Sequence, residues 1–325
     1  MSDNSVKLQD VLTPVSGHLR RFEEEYKRSL ESDSSIIRQI TEHLYGGAGK
    51  RLRPALIFMT CGDLSDASIH SALAVEFIHT ATLLHDDVVD ESRTRRGIET
   101  VNHKWNNLVS VLMGDYFFAK AFNMLVKAES PEIMGSFARA TERVSIGELN
   151  QVFYTGDFDI TEERYLDIIA DKTASLFACA CEAGAICDGD DDQKKKALRD
   201  FGEYLGIAFQ ITDDLLDLIG ESAKTGKQLG SDIREGWVTL PLIHALKNGG
   251  NSSKDRIVKL YNEGFTEERF ENVVNFVREA GGIEYADREA QRYSELAKES
   301  VANIKGLVYK DNLLKLADIA VTRDK

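Results

Sequence analysis

"DASIHSALAVEFIHTATLLHDDVVDESRTRRG", residues 66–97, decides how the rest of the chain is read. Apolar and small residues recur through its first half at helical spacing, with Asp66 or Ser68 as the expected N-cap. The run then ends in Asp86, Asp87 and Asp90, followed by Arg93, Arg95 and Arg96. On a helix Asp86 and Asp90 stand at i and i+4, and two bare carboxylates on one face repel. A divalent cation would remove that cost. Mg²⁺ prefers oxygen ligands and is commonly held by one or two carboxylates together with substrate phosphates. Taken alone, the stretch favours a solvated helix, because acidic i,i+4 pairs are common on such helices.

A second copy changes the balance. "FQITDDLLDLIG", residues 209–220, repeats the DDxxD spacing at Asp213, Asp214 and Asp217, again directly after apolar residues. Surface carboxylates seldom interrupt apolar faces twice in the same way. The expectation is two facing helices with carboxylates at one end of an apolar groove, where several metal ions could hold a diphosphate. Cations accompany both copies. "GAGKRLRP" supplies Lys50, Arg51 and Arg53 just before a helix starts. It is not a Walker A loop, because Leu44 stands where Gly is needed and Arg51 where Ser or Thr should follow the Lys. Lys172 interrupts "IIADKTASLF", and Lys224 and Lys227 follow the second copy. Arg grips phosphate oxygens in bidentate fashion, whereas Lys acts as a point charge.

Bulk properties narrow the class. Of 325 residues, 42% are hydrophobic and 29% charged, which suits a globular protein with a large core. The net charge of −14 argues against broad nucleic-acid binding, which needs a basic footprint. Only four prolines occur, and the long Pro-free stretches with helical periodicity point to an all-α fold. The cysteines Cys61, Cys179, Cys181 and Cys187 form no CxxC pair and read as small, half-buried thiols in a reducing compartment. "MSDNSVKLQD" lacks the apolar core of a signal peptide, and no apolar run approaches the roughly 20 residues of a membrane span. A cytoplasmic protein is expected.

Helical runs are expected through residues 15–30, 34–44, from about Pro54, 66–91, 107–128, from Pro131 to about Tyr154, 161–186 and 194–220. "CDGDDDQKKK" misses the EF-hand spacing and reads as a solvated link. Residues 221–237 read as a polar Gly-rich loop, and shorter helices follow Val238. No strand-like alternation and no linker that would divide the chain stand out, so residues 1–325 are expected to form one domain.

From "GKRLRP" through "LLHDDVVDESRTRRG", "DKTASLF" and "FQITDDLLDLIG" to "GKQLGSDIREG" and "TLPLIHAL", the chain resembles the trans-type polyprenyl diphosphate synthases, in particular long-chain ones of the octaprenyl diphosphate synthase kind. The motifs occur in the family's order over nearly the whole chain, and together they are highly specific. The resemblance implies an all-α bundle of the isoprenoid synthase type around a deep apolar cavity, a homodimer, and a reaction that needs several Mg²⁺ ions. It implies condensation of isopentenyl diphosphate with an allylic diphosphate primer. Asp86, Asp90 and Asp213 match metal-facing carboxylates, with Asp217 counted as a further metal position and Asp87 and Asp214 supporting catalysis. Lys172, Thr173, Gln210, Lys227 and Arg95 match allylic-diphosphate positions. Lys50, Arg53, His79 and Arg96 match the isopentenyl site, whereas His85 reads as packing or a supporting hydrogen bond.

One departure stands out. Where the family commonly has a Lys on the allylic diphosphate, this chain has Trp237, with Lys224 or Arg234 as possible substitutes. In this family, bulk just before the first DDxxD limits product length. Here Ala81 and Thr82 are not aromatic, and Ile78, Val75 and Ala74 precede them. From Ala67 to Asp86 a helix spans about 30 Å, and an isoprene unit is as long as one turn, about 5.4 Å. The expected product is therefore long, in the heptaprenyl-to-decaprenyl range, for a quinone tail. Phe118, Phe122 and Met124 are candidates for the cavity floor. A short-chain farnesyl or geranylgeranyl synthase, a terpene cyclase and a non-catalytic partner subunit are the competing readings. "GKRLRP" argues against the cyclase, and two intact aspartate motifs argue against the silent subunit.

Overall fold

The structure, a computed structural model, describes residues 7–47, 49–220, 229–249, 251–264 and 266–322. Helices dominate throughout. In order they are α1 (Leu8–Leu12), α2 (Ser16–Ser29), α3 (Ser35–Tyr45), α4 (Leu52–Cys61) and α5 (Asp66–Val89). A hairpin of β1 (Thr94–Arg95) and β2 (Ile98–Glu99) follows, then α6 (Val101–Lys104), α7 (Asn107–Lys127), α8 (Pro131–Tyr154) and α9 (Glu162–Ile169). A π-helical turn at Ala170–Ala174 leads into α10 (Ser175–Cys187) and α11 (Asp192–Ile219). The remaining helices are α12 (Ser231–Glu235), α13 (Leu240–Asn248), α14 (Asn251–Asn262), α15 (Glu267–Glu279), α16 (Gly282–Ala302) and α17 (Lys310–Thr322).

The residues group into two compact units. The first comprises Met1–Thr141, Leu176–Gly202 and Ser300–Leu316. Its central helix is α5, packed on α4 and α7. Ser65, rather than Asp66 or Ser68, caps it: Ser65 Oγ accepts from the Ser68 backbone, and Ser68 Oγ accepts from the Ser65 backbone. This reciprocal box shifts the start by one residue and leaves Asp66 in the first turn, where it pairs with Arg21 at 2.9 Å. The core is aromatic, with Phe22, Phe58, Phe77 and Phe117 almost fully buried and Tyr26 stacked on Phe77 at 5.0 Å.

Helices α5 and α7 are each long and apolar enough to cross a bilayer by length and composition, contrary to the expectation that no stretch approaches a span. The interruptions by Glu76, His79 and His85 hide that length from a simple reading. The apolar faces of the two helices meet each other, and Ser110 Oγ on α7 donates to the Leu84 carbonyl on α5 at 2.9 Å.

The second unit comprises Glu142–Ser175, Glu203–Glu299 and Ala317–Lys325. Tyr165, Ile211, Trp237, Leu240, Val277 and Ala286 lie in its core. Three local features escaped the sequence reading. The β1–β2 hairpin is too short to show alternation. The π turn interrupts what reads as one helix over 161–186. Helix α12 lies inside the segment expected to be loop, and residues 221–228 of that segment lie outside the described residues. The four cysteines are free, with Cys61, Cys179 and Cys181 buried.

Candidate active site

The first aspartate motif occupies the last turn of α5. Asp86 and Asp87 are helical and Asp90 is the C-cap, its backbone N–H bonded to the Asp86 carbonyl at 2.8 Å. A helix C-terminus carries partial negative charge, so carboxylates stacked there add to their own repulsion and favour a bound cation. Asp87 has a different task. It is buried, its carboxylate accepts from Arg95 Nε at 2.7 Å, and its carbonyl accepts from the Asn102 side chain at 2.9 Å. Burial pushes its pKa up while the Arg95 guanidinium pulls it down.

The cations around this motif are placed by backbone strain. Arg96 and Gly97 form the hairpin loop with φ of 53° and 77°, the left-handed pair of a two-residue type I′ turn. The turn sends the Arg96 guanidinium over Gly49, where any side chain would collide with it, and Arg96 donates to the Gly47 carbonyl at 3.1 Å. Arg51, at φ 51°, starts α4 and turns inward onto Glu76 and Glu23 at 2.5 and 2.7 Å. Its guanidinium lies over the Tyr26 ring. Arg51 therefore serves as an internal brace. Arg53 packs over Phe177, and its Nε is buried with no hydrogen-bond partner. Burial lowers the Arg53 pKa to about 10, which leaves it charged at neutral pH.

Arg51, His79, Arg95 and Arg96 line a cavity of about 100 Å³ that Asp87 also reaches. Burial, then the surrounding guanidiniums of Arg53, Arg96, Arg95 and Arg51, hold His79 well below the usual imidazole pKa. His79 is neutral here and can exchange hydrogen bonds without adding charge. The carboxylates of Glu76, Asp87 and Glu99 share that lining with the arginines, while Arg53, outside it, keeps one buried guanidinium nitrogen without a hydrogen-bond partner. Lys50, also in this loop, is exposed.

The second motif lies in the last two turns of α11 and thus also at a helix C-terminus. Asp214 is buried like Asp87, yet its partners are neutral. Tyr165 Oη donates to it at 2.6 Å, and Gln210 Nε2 donates at 2.7 Å. Gln210 is itself oriented by Thr173 Oγ1, which donates to its carbonyl at 2.8 Å. Burial raises the Asp214 pKa to about 7 despite those two donors. Both Asp217 oxygens are engaged: one accepts from Ser231 Oγ at 2.6 Å and the other from the Asp232 N–H at 3.0 Å. Asp217 thereby anchors the start of α12.

Lys172 and Thr173 stand on the π turn, an insertion frequent at functional sites. Gly147 and Gly206 make the turn possible, because a methyl at either would overlap the backbone of Lys172 or Ala174. Lys172 pairs with Glu148 at 2.8 Å. Arg143 holds Asp171, the residue before Lys172 on the turn, at 2.7 Å. Glu148, Arg143 and Tyr165 were not singled out from sequence. The only advance signal was the two glycines placed inside helices with no turn to make.

Lys224 and Lys227 lie outside the described residues. Ala81 and Ile78 are buried on α5, and Thr82 Oγ1 caps back onto the His79 carbonyl at 2.9 Å. Of the floor candidates Met124 is buried, Phe118 sits by His85, and Phe122 faces outward at 57% exposure. His85 rests over Gly114 of α7 and bonds the Val111 carbonyl at 3.2 Å, a packing role.

Among the described residues no three Asp, Glu, His or Cys side chains converge on one point. The half-buried donors of the motifs, Asp86, Asp90, Asp213 and Asp217, are carboxylate oxygens, with no thiolate among them. That set fits a hard cation such as Mg²⁺, which takes its remaining oxygens from substrate and water.

Residues 34–277 match the polyprenyl synthetase family. The chain is 37% identical over 299 residues to octaprenyl diphosphate synthase of Escherichia coli K12, covering 91% of this chain and 93% of that one. It is 34% identical over 319 residues to the all-trans-nonaprenyl-diphosphate synthase of Rhodobacter capsulatus, covering 97% and 98%. Among solved structures, a polyprenyl synthase from Caulobacter crescentus, complexed with calcium and isoprenyl diphosphate, superposes with a TM-score of 0.93 at 36% identity over 99% of both chains. With two aspartate motifs at helix C-termini, an arginine- and carboxylate-lined cavity and this breadth of similarity, the chain belongs to the polyprenyl synthetase family of trans-prenyltransferases.

Proposed function

We propose that the protein condenses isopentenyl diphosphate with an allylic diphosphate in a Mg²⁺-dependent reaction, yielding an all-trans product in the heptaprenyl-to-decaprenyl range that serves as a quinone side chain. The observation that carries the reaction is the half-buried aspartate pair at a helix C-terminus in each motif, Asp86 with Asp90 and Asp213 with Asp217, the first of them next to a cavity lined by Arg51, His79, Arg95 and Arg96. Support for a long product comes from the relatives named for octaprenyl and nonaprenyl synthesis and from small Ala81 ahead of the first motif.

In this reading Asp86, Asp90, Asp213 and Asp217 hold the metal ions. Bound Mg²⁺ would draw off the charge of the departing diphosphate. Asp87 fixes Arg95, and Asp214 fixes Gln210, so these two act by orienting neighbours. Arg95, Lys172, Thr173, Gln210 and Lys227 bind the allylic diphosphate. Lys50, Arg53, Arg96 and neutral His79 bind isopentenyl diphosphate. The allylic C–O bond ionises, the isopentenyl double bond attacks the cation, and the released diphosphate removes the proton that restores the alkene. Apolar walls keep water from quenching the cation.

We also propose a cytoplasmic homodimer. Its support is the outward stripe of Leu108, Leu112, Phe122 and Val126 on α7, apolar residues that are each more than half exposed, and the free state of the four cysteines. Light scattering of the purified chain reads the dimer directly. Farnesyl diphosphate and labelled isopentenyl diphosphate test the reaction: products longer than geranylgeranyl diphosphate are expected, and EDTA should abolish them. A product that stops at geranylgeranyl diphosphate sinks the long-chain reading. Absence of diphosphate release sinks the enzymatic one.

A further inference from the structure

Trp237 occupies the position where the resemblance places a diphosphate-binding lysine. The residue is 6% exposed, and its ring stacks on Tyr165 with centroids 6.2 Å apart and planes inclined by 29°. Tyr165 is fully buried, and its hydroxyl donates to Asp214 at 2.6 Å. The Trp237 backbone reaches the same motif by a second route. Its N–H bonds the Asp232 carbonyl at 2.8 Å, and the Asp232 N–H bonds Asp217 at 3.0 Å. Glycines at both ends of α12 permit this return, Gly230 at φ 75° and Gly236 at φ 84°. One residue is thus tied to both Asp214 and Asp217.

We infer that Trp237 is a positioning residue for the second aspartate motif, holding Asp214 through the Tyr165 stack and Asp217 through the α12 segment. An indole cannot neutralise a phosphate. It can lock a phenol in one rotamer, and a locked phenol fixes where the Asp214 carboxylate points. In the proposed reading Asp214 fixes Gln210 on the diphosphate and Asp217 is a metal ligand, so Trp237 acts on both halves of a Mg²⁺–diphosphate complex; loss of such supporting partners typically weakens binding without removing a ligand. In this chain a rigid aromatic brace stands where relatives of the resemblance place a mobile cation. The inference rests on the metal-binding reading of the second motif given above.

The test uses the full chain with Mg²⁺ and inorganic diphosphate as probe, followed by calorimetry, beside the Mg²⁺ concentration for half-maximal turnover. Trp237→Leu removes the stack but keeps an apolar side chain. Tyr165→Phe removes only the hydroxyl. Trp237→Phe keeps a ring. Trp237→Leu and Tyr165→Phe are expected to weaken Mg²⁺–diphosphate binding about tenfold, with Trp237→Phe restored to within about twofold of the parent. The KM for isopentenyl diphosphate should not move. If Trp237→Leu and Tyr165→Phe lower the melting temperature yet bind the probe as the parent does, the residues are core packing and the inference is overturned. It is overturned as well if the parent itself does not bind the probe. A parent that binds Mg²⁺–diphosphate but makes no polyprenyl product defeats the reaction reading alone, because the calorimetry requires no turnover.

Discussion

The two DDxxD motifs share a spacing and a place at a helix C-terminus, yet their second aspartates are held by opposite means. Asp87 is buried against a guanidinium, Arg95, at 2.7 Å. Asp214 is buried against a phenol and a carboxamide. The cations near each motif are also carried differently. A strained hairpin presents Arg95 and Arg96, whereas a π turn clamped by glycines presents Lys172. The first motif is embedded in charge that must be balanced pair by pair. The second is embedded in packing and neutral hydrogen bonds. Identical sequence spacing therefore does not imply identical electrostatics, because burial and partners set the behaviour of each carboxylate.

The comparison is broken most decisively at the aspartates proposed to face the metal. Asp86→Ala and Asp213→Ala should each lower kcat by about 10²–10³-fold, the usual cost of losing one electrostatic contact to a developing charge. Incorporation of labelled isopentenyl units measures this, and a strong loss in only one variant would show that the motifs do not contribute alike. Next in size is the glycine clamp. Gly147→Ala drives a methyl into the Lys172 backbone and should destabilise the fold by about 1–3 kcal/mol. Gly49→Ala meets only the movable end of Arg96, so denaturant unfolding should show a smaller change there.

A milder pair of variants separates charged from neutral support. Asp87→Asn removes the partner of a guanidinium whose side chain is 31% exposed, and about 1–2 kcal/mol should be lost, discounted for that exposure. Asp214→Asn keeps a group that can accept from Tyr165 and should cost less. Equal losses in thermal unfolding would erase the distinction drawn between the motifs. The smallest effect is a pH dependence. His79 is held below its ordinary pKa, so the unfolded chain binds the proton more readily than the folded one. Its contribution to stability is present above pH about 6.5 and is lost as pH falls below that value. His79→Gln should reduce the acid-side loss of melting temperature, and an unchanged profile would show that burial and the neighbouring guanidiniums do not hold His79 neutral.

Most of the fold is legible in the residue pattern because helical periodicity is local. The runs at 66–91, 107–128 and 194–220 emerge as α5, α7 and α11 with ends displaced by a few residues. The aspartates and "GKRLRP" were legible for another reason: charged residues that interrupt apolar faces demand a chemical explanation. Arg51 was not separable from Lys50 and Arg53, since nothing along the chain says that Glu23 and Glu76 converge on it. Tyr165 and Trp237 gave no signal as a pair because seventy-odd residues of chain separate them and their contact exists only after folding.

By itself the sequence determined the helical class, the family and which side chains carry charge, since periodicity, motif order and residue chemistry need no partner to be read. Tertiary structure alone decided what each charge is for. It turned Arg51 into a brace, left Arg53 Nε without an internal acceptor, kept His79 neutral, and made Asp87 and Asp214 unlike. The physical reason is that burial and the identity of a neighbour set the energy of a polar group, and neighbours distant in sequence meet only in the folded chain.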